Sequence, residues 1–142
     1  MKRFHLVFGL IVIIVFLLTG QYMDRYHNHL EFMADGPRML YRSRHIFILM
    51  SGLLHLGIGT YFQPRPTATR RTVQLIGSIL ITGATVVFTI AFFREPRLEG
   101  LQNHLTLPGT IMLAVGTLLH FFSGVRQKSK YSARRERGRG VV

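Results

Sequence analysis

His27 and His29 form an H-x-H pair, and Glu31 follows two residues later. In an extended segment side chains alternate with period two, so these three groups would point the same way. Two imidazoles and a carboxylate suit zinc or copper(II), and the neighbouring thioethers of Met23 and Met33 extend the choice toward softer copper chemistry. His27, His29 and Glu31 are therefore the candidate metal ligands. The bland alternative is a polar connector with histidine as filler. A single H-x-H with neither a second H-x-H nor an H-x-x-E-H is a modest signal.

Four more histidines, His45, His55, His104 and His120, are candidates for holding a cofactor, haem b or copper, through neutral imidazole. His55 lies on a helical stripe with Ile48, Gly52 and Gly59, and His120 on one with Gly109 and Gly116. Glycine one turn from an imidazole clears room for a flat cofactor, and equally lets two helices approach closely. His45 and His104 stand at the starts of two apolar runs and so share a depth. His55 and His120 are offset along their runs by about five residues, roughly 7 Å at the helical rise, which is awkward for one shared iron. His5 sits beside Lys2 and Arg3, where a headgroup-level histidine needs no special purpose.

The elements that must position these residues are four apolar runs, 4–22, 45–62, 73–93 and 105–122, none containing Asp, Glu, Lys or Arg. Each approaches the roughly 20 residues that a helix needs to cross hydrocarbon. Helix is the natural state there, because lipid satisfies no open backbone group. The prolines agree: Pro64 and Pro66 follow the second run, Pro96 follows the third, and Pro108 falls in the first turn of the fourth. The first run has a basic start, but "LLTGQY" offers no small-x-small cleavage site, so a retained helix is expected. The expected fold is all-α, a single integral-membrane domain formed as a four-transmembrane-helix bundle. An external loop spans 23–44, and a basic cytoplasmic tail spans 125–142.

Charge sets the expected orientation. Of the 18 Lys and Arg, twelve fall on the N-terminus, the second connection and the tail, and six on the other two connections. The positive-inside rule then puts both termini in the cytoplasm and loop 23–44 in the periplasm of a bacterial inner (plasma) membrane. The tail "RQKSKYSARRERGRG" is expected to rest on anionic lipid headgroups. A nucleic-acid arm is disfavoured, since no aromatic stacking platform accompanies the charges. In the third run Ser78, Thr82, Thr85 and Thr89 form one helical stripe, read as packing with hydroxyls bonded to the preceding turn.

The chain has no cysteine, which removes disulfides, thiolate metal sites and cysteine nucleophiles. It also lacks G-x-x-x-x-G-K, H-E-x-x-H and G-x-S-x-G. The expected role is that of a non-catalytic accessory or structural subunit of a larger membrane assembly, with the lipid bilayer and other membrane subunits as partners. The alternative is a small redox or metal-binding membrane protein using the histidines near the outer face.

The absence of native cysteine makes the orientation directly measurable. Single cysteines placed at Ser43 or Arg25 are expected to react with a membrane-impermeant maleimide in intact cells. One placed at Ser129 is expected to react only after permeabilisation. The reverse pattern overturns the assignment.

Overall fold

The computed structural model describes residues 1–65, 67–97 and 103–125. The basic tail therefore lies outside the described residues from position 126 onward. Four helices follow one another: α1 Lys2–His27, α2 Asp35–Tyr61, α3 Ala68–Arg94 and α4 Thr106–Val125. Short 3-10 turns, Asn28–Leu30 and Glu95–Arg97, extend α1 and α3. No strand occurs among the described residues.

Three of the helices are long and apolar enough to cross a membrane: α1 with its turn (Lys2–Leu30), α3 with its turn (Ala68–Arg97), and α4 (Thr106–Gly124). The fourth expected span, α2, has 27 residues, the same length as α3. It is less apolar because it takes in Arg38, Arg42, Arg44, His45 and His55 together with four glycines. The helices also run further than the apolar runs. α1 continues to His27 because Val12, Phe16, Thr19 and Met23 carry its inward stripe past Tyr22. α2 starts at Asp35, where an acid in the first turn complements the helix dipole and Pro37 suits the same turn. The connector expected over 23–44 thus shrinks to the segment 28–34.

That segment reverses the chain through three successive residues in the left-handed region, Asn28, His29 and Leu30, with φ of 43°, 55° and 66°. Such a conformation is costly for residues with a Cβ, and it persists only where the surroundings fix it. Leu30 is buried in the core cluster with Tyr41, Phe88 and Phe92, which fixes it here.

α1 packs along α2 and α3 along α4, and the two hairpins join through α2 and α3. The inward face of α1 is His5, Gly9, Val12 and Thr19, spaced by four, three and seven. Its outward face is Val7, Leu10, Ile11, Ile14, Leu17 and Leu18, all exposed, as expected of a lipid-facing surface. Ile48, Gly52, His55 and Gly59 are all buried, so the predicted stripe is the interior face of α2. The hydroxyls of α3 each donate to the carbonyl one turn back: Ser78 to Gln74 at 3.0 Å, Thr82 to Ser78 at 2.8 Å, Thr85 to Ile81 at 3.0 Å and Thr89 to Thr85 at 2.9 Å.

Close approach depends on glycine at two crossings. A Cβ on Gly59 would stand 2.8 Å from the Leu6 backbone nitrogen. One on Gly116 would stand 2.9 Å from the Gly77 carbonyl oxygen, and one on Gly77 would stand 2.8 Å from that of Gly116. Backbone cannot yield as a flexible side chain can, so a methyl at either place forces helices apart. Nothing lies within 4 Å of a Cβ on Gly57, two residues away. Gly59→Ala is therefore expected to destabilise the bundle by about 1–3 kcal/mol through overpacking. Gly57→Ala is expected to be neutral or to stabilise by up to about 1 kcal/mol through helix propensity. Denaturant titration in micelles measures both, and equal effects at the two glycines overturn the crossing geometry.

Candidate functional site

At the end of the bundle that carries Met1, each of the four helices contributes one polar side chain to a single hydrogen-bonded file. α1 supplies His5, α2 His55, α3 Ser78 and α4 His120. His5 Nδ1 pairs with His55 Nδ1 at 2.8 Å. His5 Nε2 pairs with Ser78 Oγ at 3.0 Å, and Ser78 Oγ with His120 Nε2 at 2.8 Å. His5 and His55 are fully buried, and Ser78 is 3% exposed. Phe8 sets its ring edge-on to His55 at 4.8 Å, and Phe62 lies 6.2 Å from His5, so the file has aromatic walls.

Counting protons fixes what the file can do. A hydroxyl has one donor and two acceptor positions, and a neutral imidazole has one of each. Ser78 donates to the Gln74 carbonyl. Both imidazole Nε2 atoms must then donate to Ser78 Oγ, which fills its capacity. Neutral His5, protonated at Nε2, accepts at Nδ1, so His55 donates from Nδ1. That tautomer leaves a lone pair on His55 Nε2, which has no partner in good hydrogen-bond geometry, and the same holds for His27 Nε2 at the other end of the bundle. The Ile81 backbone also acts on the His55 ring. An unsatisfied buried acceptor costs about 1–3 kcal/mol and calls for an occupant or a role. Chemically it can take a hydrogen bond or coordinate an electrophile.

The opposite end of the bundle is built on a buried ion pair. Arg44 Nε donates to Glu95 Oε2 at 2.7 Å, with Arg44 4% exposed and Glu95 fully buried. Glu95 Oε1 also accepts from the backbone N–H groups of Leu105 and Thr106, at 2.8 and 2.9 Å. The Thr106 hydroxyl donates to Oε2, and the Arg44 guanidinium donates onward to Asn103 and Ser43. One carboxylate thus bonds an arginine of α2 and caps α4, a geometry in which buried charges are tolerable because every lone pair is used.

The residues singled out from sequence are distributed as follows. His55 and His120 belong to the file, and their offset is bridged by His5 and Ser78. His45 is half-buried near the other end, with Nδ1 at 2.9 Å from Thr19 Oγ1 and its ring stacked on Phe16 at 4.0 Å. His104 is exposed in the turn before α4. His27, His29 and Glu31 do not share a face, contrary to the extended-loop expectation. Helix α1 carries His27 inward, to 5.1 Å from the Tyr41 ring and 5.3 Å from that of Tyr22. The left-handed turn throws His29 outward, where Nε2 meets Asp24 at 2.6 Å. Glu31 accepts from Asn28 at 3.3 Å. Among the described residues, no group of three or more His, Cys, Asp or Glu is disposed to hold a metal ion. In the file, His5 and His55 meet nitrogen to nitrogen at 2.8 Å, closer than the roughly 3.3 Å between two nitrogens on one tetrahedral zinc.

His5 and Glu95 are the buried polar residues not singled out from sequence. The signal for His5 is the four-three spacing His5, Gly9, Val12. The signal for Glu95 is an acid two residues past the end of an apolar run.

Ser78→Ala is expected to destabilise the protein by about 1–3 kcal/mol, one unsatisfied buried group, because half-buried His120 can turn to water whereas His5 cannot. Thr82→Val, which removes only a bond within its own helix, is expected to cost less than about 1 kcal/mol. Unfolding titrations of the two variants check this, and equal losses would show that the file adds nothing to stability.

No family model, no curated protein and no solved structure matches this chain.

Proposed function

We propose that the protein is a four-span bundle of the inner (plasma) membrane, with both termini cytoplasmic and the α1–α2 turn periplasmic. In this reading it serves as a non-catalytic accessory subunit of a larger membrane assembly, with its basic tail on anionic headgroups. The observation that carries the reading is uneven burial. Within its most apolar stretch α3 is 44% buried, whereas α1 and α4 are each only 17% buried. Two helices therefore present a broad apolar face to whatever surrounds the chain, α1 through Val7, Leu10, Ile14 and Leu17 and α4 through Leu107, Ile111, Leu118 and Phe122. Lipid covers such a surface without shape, whereas a neighbouring subunit covers it by packing. The polar groups of the interior support the same reading, since Arg44, Glu95, Ser78 and His5 are spent on one another. α2 counts as the fourth span in this reading because Arg44, His45 and His55 turn toward those neighbours, while Asp35 and Arg42 lie exposed near its first turns.

The second reading, a small redox or metal-binding protein carrying haem b or copper, is favoured by the bare Nε2 of His55.

One preparation tests both. Solubilised in mild detergent, the protein is expected to co-purify with membrane partners in fixed ratio. Leu10→Trp with Leu17→Trp on the exposed face of α1 is expected to cut that yield at least tenfold without changing the melting temperature. A partner-free monomer overturns the first reading. A Soret band or stoichiometric copper that His55→Ala abolishes establishes the second. A blank spectrum and blank metal analysis remove it.

A further inference from the structure

Two cavities share a wall at the Met1 end of the bundle. The first, about 610 Å³, is of mixed polarity and is lined by Lys2, Thr60, Gln63, Arg65 and His120 together with aromatic rings. The second, about 420 Å³, is mostly apolar and is lined by Leu53, Leu54, Gly57, Ile58 and Phe121 among others. Tyr61, Phe62, Gln63, Arg65, His120 and Phe121 line both. Each volume lies within the roughly 300–1,000 Å³ of small-molecule sites. Among the described residues neither lining contains an acidic side chain. The first chamber therefore holds two cations, Lys2 and Arg65, with no acid among its described lining residues. Arg65 is also turned inward, since its Nε donates to Ser123 Oγ at 3.4 Å and its guanidinium lies against Gly124.

A cationic chamber joined to an apolar one at the end of a membrane bundle has the shape of an amphiphile. We propose that this is a binding site for an anionic phospholipid, its phosphodiester held by Arg65 and Lys2 and one acyl chain laid in the α2–α4 cleft. Basic pockets between membrane helices on the cytoplasmic side recognise such headgroups, and the proposal rests on the membrane reading and not on the accessory role. His120 stands in the shared wall, so its Nδ1 meets the ligand while its Nε2 is engaged with Ser78. The site thereby touches the four-helix file, and an occupant ties α2 to α4, helices that otherwise meet mainly through their neighbours. Gly57 gives the apolar chamber its depth, with nothing within 4 Å of a Cβ there.

The test uses the full chain in neutral detergent and a fluorescent acyl-labelled phosphatidylglycerol, with phosphatidylcholine and glycerol phosphate as comparators. Phosphatidylglycerol is expected to bind at least tenfold more tightly than either, the first comparator lacking net charge and the second lacking chains. Arg65→Gln and Lys2→Gln are each expected to weaken it severalfold. Gly57→Leu, whose Cβ meets nothing within 4 Å and whose side chain would occupy the apolar chamber, is expected to do the same while the melting temperature holds. Arg134→Gln with Arg135→Gln in the tail is expected to change binding less than twofold. Equal affinity for phosphatidylcholine overturns the proposal. So does loss of binding in the tail variant alone, or glycerol phosphate binding as tightly as the lipid. If Arg65→Gln does not fold, Lys2→Gln and Gly57→Leu decide.

Discussion

The hydroxyl of Ser78 is the point on which the interior turns. Its single oxygen joins α1 and α4 through His5 and His120, and through His5 it reaches α2. Hydrocarbon offers a buried imidazole no water, so each ring nitrogen must find its partner within the protein or go without. A hydroxyl suits this place because it is small and can serve three neighbours. At the adjacent position Gly77, facing Gly116, brings α3 and α4 to backbone contact. Packing and polarity are thus one problem here. The glycines set how near the helices come, and that separation decides whether three rings from three helices can meet one oxygen.

The two ends of the bundle solve the burial of polar groups differently. Around Glu95 every acceptor position is used, by Arg44, by two backbone N–H groups and by a threonine hydroxyl. Such a cluster is closed and leaves no chemistry over. The histidine file stays open at both tips: one nitrogen is unpaired in the core, and one ring stands on a cavity wall. The Glu95 cluster fastens α2 to the start of α4. Unpaired buried imidazole nitrogens remain at both ends, on His55 within the file and on His27 beside Tyr41.

Much of the architecture was legible because lipid imposes simple patterns. Uncharged runs gave the helices, and the small-residue stripes of α2 and α3 gave their interior faces. The bounds were less legible. Apolarity marks where a helix can enter hydrocarbon, whereas hydrogen bonding lets α1 and α2 continue well beyond it, and Met23–His27 follow the packing period without being apolar throughout. The shared face expected of His27, His29 and Glu31 assumed an extended backbone. A helix end followed by a left-handed turn sends His27 and His29 to opposite sides. His55 and His120 were found by their glycines, but the join between them was not. It runs through a residue five from the N-terminus and one from the middle of α3, and only the tertiary arrangement brings those together.

The Arg44–Glu95 pair also bears on the order of synthesis. Arg44 leaves the ribosome some fifty residues before Glu95, the carboxylate that meets it among the described residues. Until α3 and its turn have been made, Arg44 of α2 lacks this partner. The docking of α2 against α3 is therefore completed only once the third helix exists, because a buried guanidinium and a buried carboxylate each need the other.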